Sequence, residues 1–93
     1  MFHEMLEEAR REYRRCNLVE CRHICVEILR QPYCPTYATV KALHLLSGTV
    51  SIEKSFGFLQ QARQVIEEAS RVGDTEVLQT LRANTTELHE LYT

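Results

Sequence analysis

Apolar residues recur at spacings of three and four from one end of this chain to the other, and no run alternates with a period of two. That regularity leaves no room for a sheet, because a strand buries every second side chain while a helix buries one stripe per 3.6 residues. Phe2, Met5, Leu6, Ala9 and Tyr13 form the first stripe and predict a helix over about residues 2–15. Its remaining faces are charged, with Glu7 in reach of Arg10 and Arg11 and Glu12 in reach of Arg15, so the basic cluster neutralises itself along the helix. Asn17 is the expected N-cap of a second helix, which carries Leu18, Cys21, Ile24, Cys25, Ile28 and Leu29 inward and ends near Arg30. Pro32 and Pro35 bracket the next break.

The third helix, about residues 36–47, is apolar almost all round, with Tyr37, Ala38, Val40, Ala42, Leu43, Leu45 and Leu46. Such a helix has to be covered on more than one side. Gly48 suits its C-cap, and Thr49 or Ser51 caps the fourth helix, which runs through Phe56, Phe58, Leu59, Ala62, Val65, Ile66, Ala69 and Val72. Gly57 inside it weakens the helix and leaves room for a neighbour to approach. Gly73 is expected at a C-cap with positive φ and Asp74 at the following N-cap. The last helix, 74–92, shows Leu78, Leu81, Leu88 and Tyr92 on one stripe, with Thr85 as a polar interruption. Short turns between five helices predict an all-α domain of two antiparallel hairpins and a C-terminal capping helix, spanning residues 1–93 as one unit.

Composition narrows the functional classes. A chain of 93 residues buries roughly 60–65% of its extended surface on folding, enough for a modest core. Hydrophobic residues at 44% and charged residues at 26%, with three glycines and two prolines, predict a folded rather than a disordered chain. Eleven basic against thirteen acidic side chains give no electrostatic footprint for nucleic acid. The first residues carry acids where a signal peptide has its apolar run, and the longest greasy stretch is broken by Lys41 and His44, so neither export nor a membrane span is expected. The expected compartment is cytoplasmic, where the sequon at Asn84 stays unmodified and the four cysteines stay reduced.

A shift of 31 residues superposes Leu6, Ala9, Arg10 and Tyr13 on Tyr37, Val40, Lys41 and His44, each set opening a helical hairpin. Two-helix repeats near 34 residues are the tetratricopeptide pattern. The stretch from Cys16 to Pro32 resembles the second half of such a repeat: Cys16-Asn17-Leu18 stands where that family has Gly, a polar residue and an aromatic, Cys21 at the small Ala, Cys25 at the larger core position, and Ile28-Leu29 at the closing apolar pair. The segment from Leu29 to Gly48 is similar to short tetratricopeptide-like hypothetical proteins of filamentous fungi. The resemblance implies an intracellular protein-interaction module without chemistry of its own and without a cofactor, and it carries over no site residue. The repeat glycines are missing from the first hairpin, Pro32 falls one residue early, and the expected Trp is absent.

The cysteines admit a rival reading. Cys21 and Cys25 lie at i,i+4 on one helical face, a spacing that can present two thiolates, with Cys16 or Cys34 as a third ligand in a metal or redox site. Against it, the four form no CxxC knuckle, His23 points away from the pair, and free cysteines behave as small core hydrophobes. His3, His23, His44 and His89 form no ligand motif and are expected at the surface or its boundary. Without a Gly-rich phosphate loop, a GxSxG elbow or a carboxylate pair in an apolar setting, no enzyme is predicted.

In tetratricopeptide arrays the first helix of each hairpin lines a concave face. By the 31-residue shift that face receives Glu7, Arg11 and Arg14 from the first helix and Ala38, Ala42 and Leu45 from the third, an apolar floor with a basic rim. Two hairpins fall short of the three repeats such arrays usually need. The floor is therefore expected to be covered by a partner's segment, by a second copy of the chain or by the chain's own helix 74–92 folded back; coverage by another chain is preferred, because helix 74–92 can instead pack on the fourth helix as a cap.

Overall fold

The computed structural model describes residues 2–92 and holds five α-helices: α1 (Phe2–Arg14), α2 (Leu18–Arg30), α3 (Thr36–Ser47), α4 (Ile52–Ser70) and α5 (Glu76–Tyr92). No strand occurs among the described residues. Each helix packs on the next, and α3 also touches α1 and α5. Since α3 thereby meets all four other helices, its burial of Ala38, Val40, Ala42, Leu43, His44, Leu46 and Ser47 explains why its sequence is apolar almost all round. The result is a slab of 36 × 33 × 18 Å, about two helices deep, with α1, α3 and α5 side by side and α2 and α4 behind them.

The helices repeat at a longer interval than the expected 31 residues. α2 begins at Leu18 and α4 at Ile52, an interval of 34 residues. The buried faces follow the same shift. Leu6 and Ala9 correspond to Val40 and Leu43, and Cys21, Cys25 and Ile28 correspond to Ser55, Leu59 and Ala62, all of them buried. Matching residue types aligned Tyr13 with His44, whereas matching burial aligns it with Ser47. Burying Ile28, Leu59 and Ile66 contributes about 1.5–3 kcal/mol each.

The helix ends depart from expectation in physically readable ways. Asn17 occupies the N-cap of α2, but its side chain donates to Glu12 Oε2 at 2.8 Å and accepts no hydrogen bond from the helix amides. The chain enters α2 through Cys16 at φ 63°, a left-handed conformation that costs a residue with a Cβ. Gly48 does follow α3, yet its φ of −84° is right-handed, and its lack of a side chain serves packing instead: an added Cβ would lie 2.8 Å from Tyr13 Oη. Ser51 is the N-cap of α4, and the Ser55 hydroxyl donates to the carbonyls of Ser47 and Ser51, fastening the turn between α3 and α4.

At the other turn the expectation fails. Gly73 has no positive φ, and α4 ends at Ser70 with Arg71 as a C-cap of right-handed geometry. The N-cap of α5 is made by Thr75, whose Oγ1 accepts from the Leu78 amide at 3.2 Å, and Asp74 instead lies 3.9 Å from Arg82. Gly57 meets no neighbour either, since nothing lies within 4 Å of where its Cβ would be.

Candidate binding groove

α5 packs along α4 and against α3 but does not reach α1, and the gap is a cleft of about 590 Å³. α1 supplies Arg10 and Tyr13 to one wall, α5 supplies Leu88, Leu91 and Tyr92 to the other, and Lys41, His44 and Leu45 of α3 form the floor. A second hollow of about 350 Å³ continues along the α3–α5 seam between Tyr37, Val77 and Leu81. Lys41 and Asn84 line both hollows, so the two form one groove with a polar waist.

The floor is anchored by a buried polar contact. His44 Nε2 lies 2.7 Å from Thr85 Oγ1, and the Thr85 hydroxyl lies 2.8 Å from the Leu81 carbonyl. The hydroxyl has one proton, and giving it to the carbonyl leaves its oxygen to accept from Nε2–H, which assigns the neutral Nε2–H tautomer to His44. Burial, helped by the nearby Lys41 charge, pushes the His44 pKa down to about 4. The histidine expected near the surface is thus a core residue, and the polar interruption in the α5 stripe is its partner.

Charge in the groove is unevenly distributed. Arg10 is tied to Glu7 at 2.6 Å; partial burial opposes its charge, and hydrogen-bonding interactions with Tyr37 and Glu7 outweigh that and hold its pKa above the ordinary value. Lys41 Nζ sits 5.8 Å from the Tyr37 ring centroid, a cation–π contact. The ion pairs among the described residues engage Arg10, Arg15, Arg30 and Arg82, and none engages Lys41.

Of the residues assigned to the face from sequence, Leu45 lines the groove and is half-buried. Glu7 adjoins it through Arg10, while Arg11 and Arg14 are exposed on α1 without lining either hollow. Ala38 and Ala42 are 2% and 0% exposed and belong to the core, so they form no floor. Among the groove residues that sequence reasoning missed are Arg10 and Tyr13 of α1, Tyr37 and Lys41 of α3, and Glu87 and Leu91 of α5. The i,i+4,i+8 spacing of Tyr37, Lys41 and Leu45 on α3 was a signal available to find three groove-lining positions.

The cysteines do not converge. All four are free; Cys16 is exposed, Cys34 half-buried, and Cys21 and Cys25 buried side by side on α2. Burial, reinforced by the Cys21 thiol, pushes the Cys25 pKa up to about 12, and burial raises that of Cys21 as well, so both rest as thiols in the core. Among the described residues no group of three or more His, Cys, Asp or Glu side chains is arranged to hold a metal ion. No helix among them is long and apolar enough to cross a membrane.

Comparison with protein families, curated proteins and solved structures finds no significant match to this chain.

Proposed function

We propose that the chain is a tetratricopeptide-like protein-interaction module that holds a segment of another protein in the groove between α1, α3 and α5. The observation that carries this reading is the groove itself: apolar walls from Tyr13, Leu88 and Leu91 stand open across the gap between α1 and α5, with Leu91 75% exposed. The 34-residue interval between successive hairpins supports the repeat reading, as does the left-handed Cys16 at the position where the repeat family has glycine. In this reading α5 is the third helix of the concave layer as well as the cap. The reading is cytoplasmic, a compartment that keeps four unpaired thiols reduced. It asks for no bond-making chemistry from the chain.

The test uses two groove substitutions. Leu91→Glu, on an exposed wall, and Leu45→Glu, on the floor, should each abolish capture of a partner that binds the unaltered chain, with the Leu91→Glu protein keeping its helicity and melting temperature. Retained capture by both folded variants rejects the groove. Capture lost only with loss of folding in both would make the surface internal core.

A further inference from the structure

Resting on the groove reading, we infer that its ligand is an extended segment with a central acidic side chain, an apolar residue two positions to either side, and no acid beyond the one that enters the Tyr37 hollow. Tyr37, Lys41 and Leu45 stand at i, i+4 and i+8 on α3 and form one ridge along the groove floor. Successive positions on that ridge are about 6 Å apart, at 1.5 Å of rise per residue. In an extended chain, side chains on the same face recur about every 6.6 Å. Three alternate residues of a bound segment therefore fall in register with Tyr37, Lys41 and Leu45.

The chemistry at each position follows from the lining. The hollow around Leu45 is walled by Tyr13, Leu88, Leu91 and Tyr92, and the hollow around Tyr37 by Val77 and Leu81, so each takes an apolar side chain. Between them lies Lys41, half-buried and without a carboxylate within 4 Å among the described residues. A half-buried cation that rests on the Tyr37 ring and is paired with no carboxylate favours a ligand carboxylate at that point. Asn84 beside it offers an amide that can both donate to and accept from a ligand main chain. The end at the Tyr37 hollow carries the opposite sign, since Glu76 lines it and repels an acid there, whereas the Leu45 hollow is lined by both Glu87 and Arg10 and sets no sign.

A phage-displayed library of random nonapeptides, selected on the full chain, tests this register. The expected result is enrichment of sequences with Asp or Glu at one position and Leu, Ile, Val, Phe or Met two residues before and after it. Replacing the central acid of an enriched peptide by its amide should weaken binding roughly tenfold, measured by fluorescence anisotropy. Lys41→Glu should reverse the preference, so that the same peptide with a central Lys binds better than the one with Glu; the Lys41→Gln protein guards against a folding artefact. Enriched peptides without a central acid, or indifference of binding to Lys41→Gln and Lys41→Glu, would overturn the acidic register while leaving the groove reading in place. No enrichment above an uncoated support would overturn both.

Discussion

His44 Nε2 and Thr85 Oγ1 meet at 2.7 Å across 41 residues of sequence, and the contact joins the central helix to the last one. It is a buried hydrogen bond between α3 and α5, set at the inner edge of the groove. Its consequences are thermodynamic as well as geometric, because burial favours the uncharged imidazole.

The first expected outcome is a pH dependence. Folding lowers the His44 pKa from its ordinary 6.5 to about 4. Between those values the unfolded chain binds a proton that the folded chain refuses, so stability rises with pH through this window. The contribution is fully present above pH 6.5 and is lost as pH falls towards 4, amounting to roughly 3 kcal/mol over that interval. Urea titrations of the unaltered chain and of His44→Gln should show this slope in the former and not in the latter; carboxylates common to both cancel in the difference. Equal slopes would place His44 in contact with water.

Thr85 should be intolerant of an isosteric apolar replacement. Thr85→Val keeps the volume but leaves the His44 Nε2–H without its acceptor inside the core, at a cost of about 1–3 kcal/mol. Thr85→Ser keeps the hydroxyl and loses a methyl group, costing about 1 kcal/mol. The expected order in a denaturant melt is Thr above Ser above Val. A Val variant as stable as the parent would mean that the hydrogen bond is not formed.

Helix positions were legible in the sequence because they depend on local spacing and breakers. Leu18 and Thr36 begin their helices where Asn17 and Pro35 predict, and the all-round apolar α3 announced its central position. What was not legible depends on contacts far apart in the chain. No local pattern links His44 to Thr85, and Ala38 and Ala42 could not be told from floor residues without knowing that α3 is covered by every other helix. Whether helix 74–92 lies on the fourth helix or over the face of the first and third stays open in the sequence for the same reason, and the structure packs α5 on both α4 and α3. Gly73 misled because glycine near a helix end often takes positive φ, and here it does not.

The two glycines of α4 and its following turn should therefore accept a methyl group. Gly57 lies inside a helix with open space around its Cα, so Gly57→Ala should stabilise the fold by about 0.5–1 kcal/mol through helix propensity alone. Gly73→Ala meets nothing within 4 Å and requires no change of φ, so it should be tolerated. Thermal melts of the two variants read this directly. A loss of more than about 1 kcal/mol at Gly73 would restore the left-handed C-cap.

Gly48 behaves differently because of Tyr13. A Cβ there would lie 2.8 Å from Tyr13 Oη and 2.9 Å from Cε2, too close for the ring to stay. The ring is 39% exposed and can swing towards solvent, so Gly48→Ala should change stability by less than about 1 kcal/mol while moving Tyr13 out of the groove wall. Tyrosine fluorescence quenching should increase, and binding in the groove should weaken. Unchanged quenching with unchanged stability would mean that Tyr13 does not rest on Gly48.

The thiols should separate into distinct reactivity classes. Cys16 is exposed and precedes α2, so a disulfide reagent at mildly alkaline pH should modify it first. Cys34 is half-buried, which restricts access to it and should slow its reaction relative to Cys16. Cys21 and Cys25 are 0% exposed and held as thiols by burial, so they should react only at the rate of unfolding and should all be titratable in denaturing urea. Cys21→Ala removes one sulfur from a well-packed site and should cost about 1 kcal/mol or slightly more without changing the reactivity of Cys16. Rapid modification of Cys25 in the folded chain, or protection of all four thiols that a chelator abolishes, would mean that α2 presents its cysteines to a ligand rather than to the core.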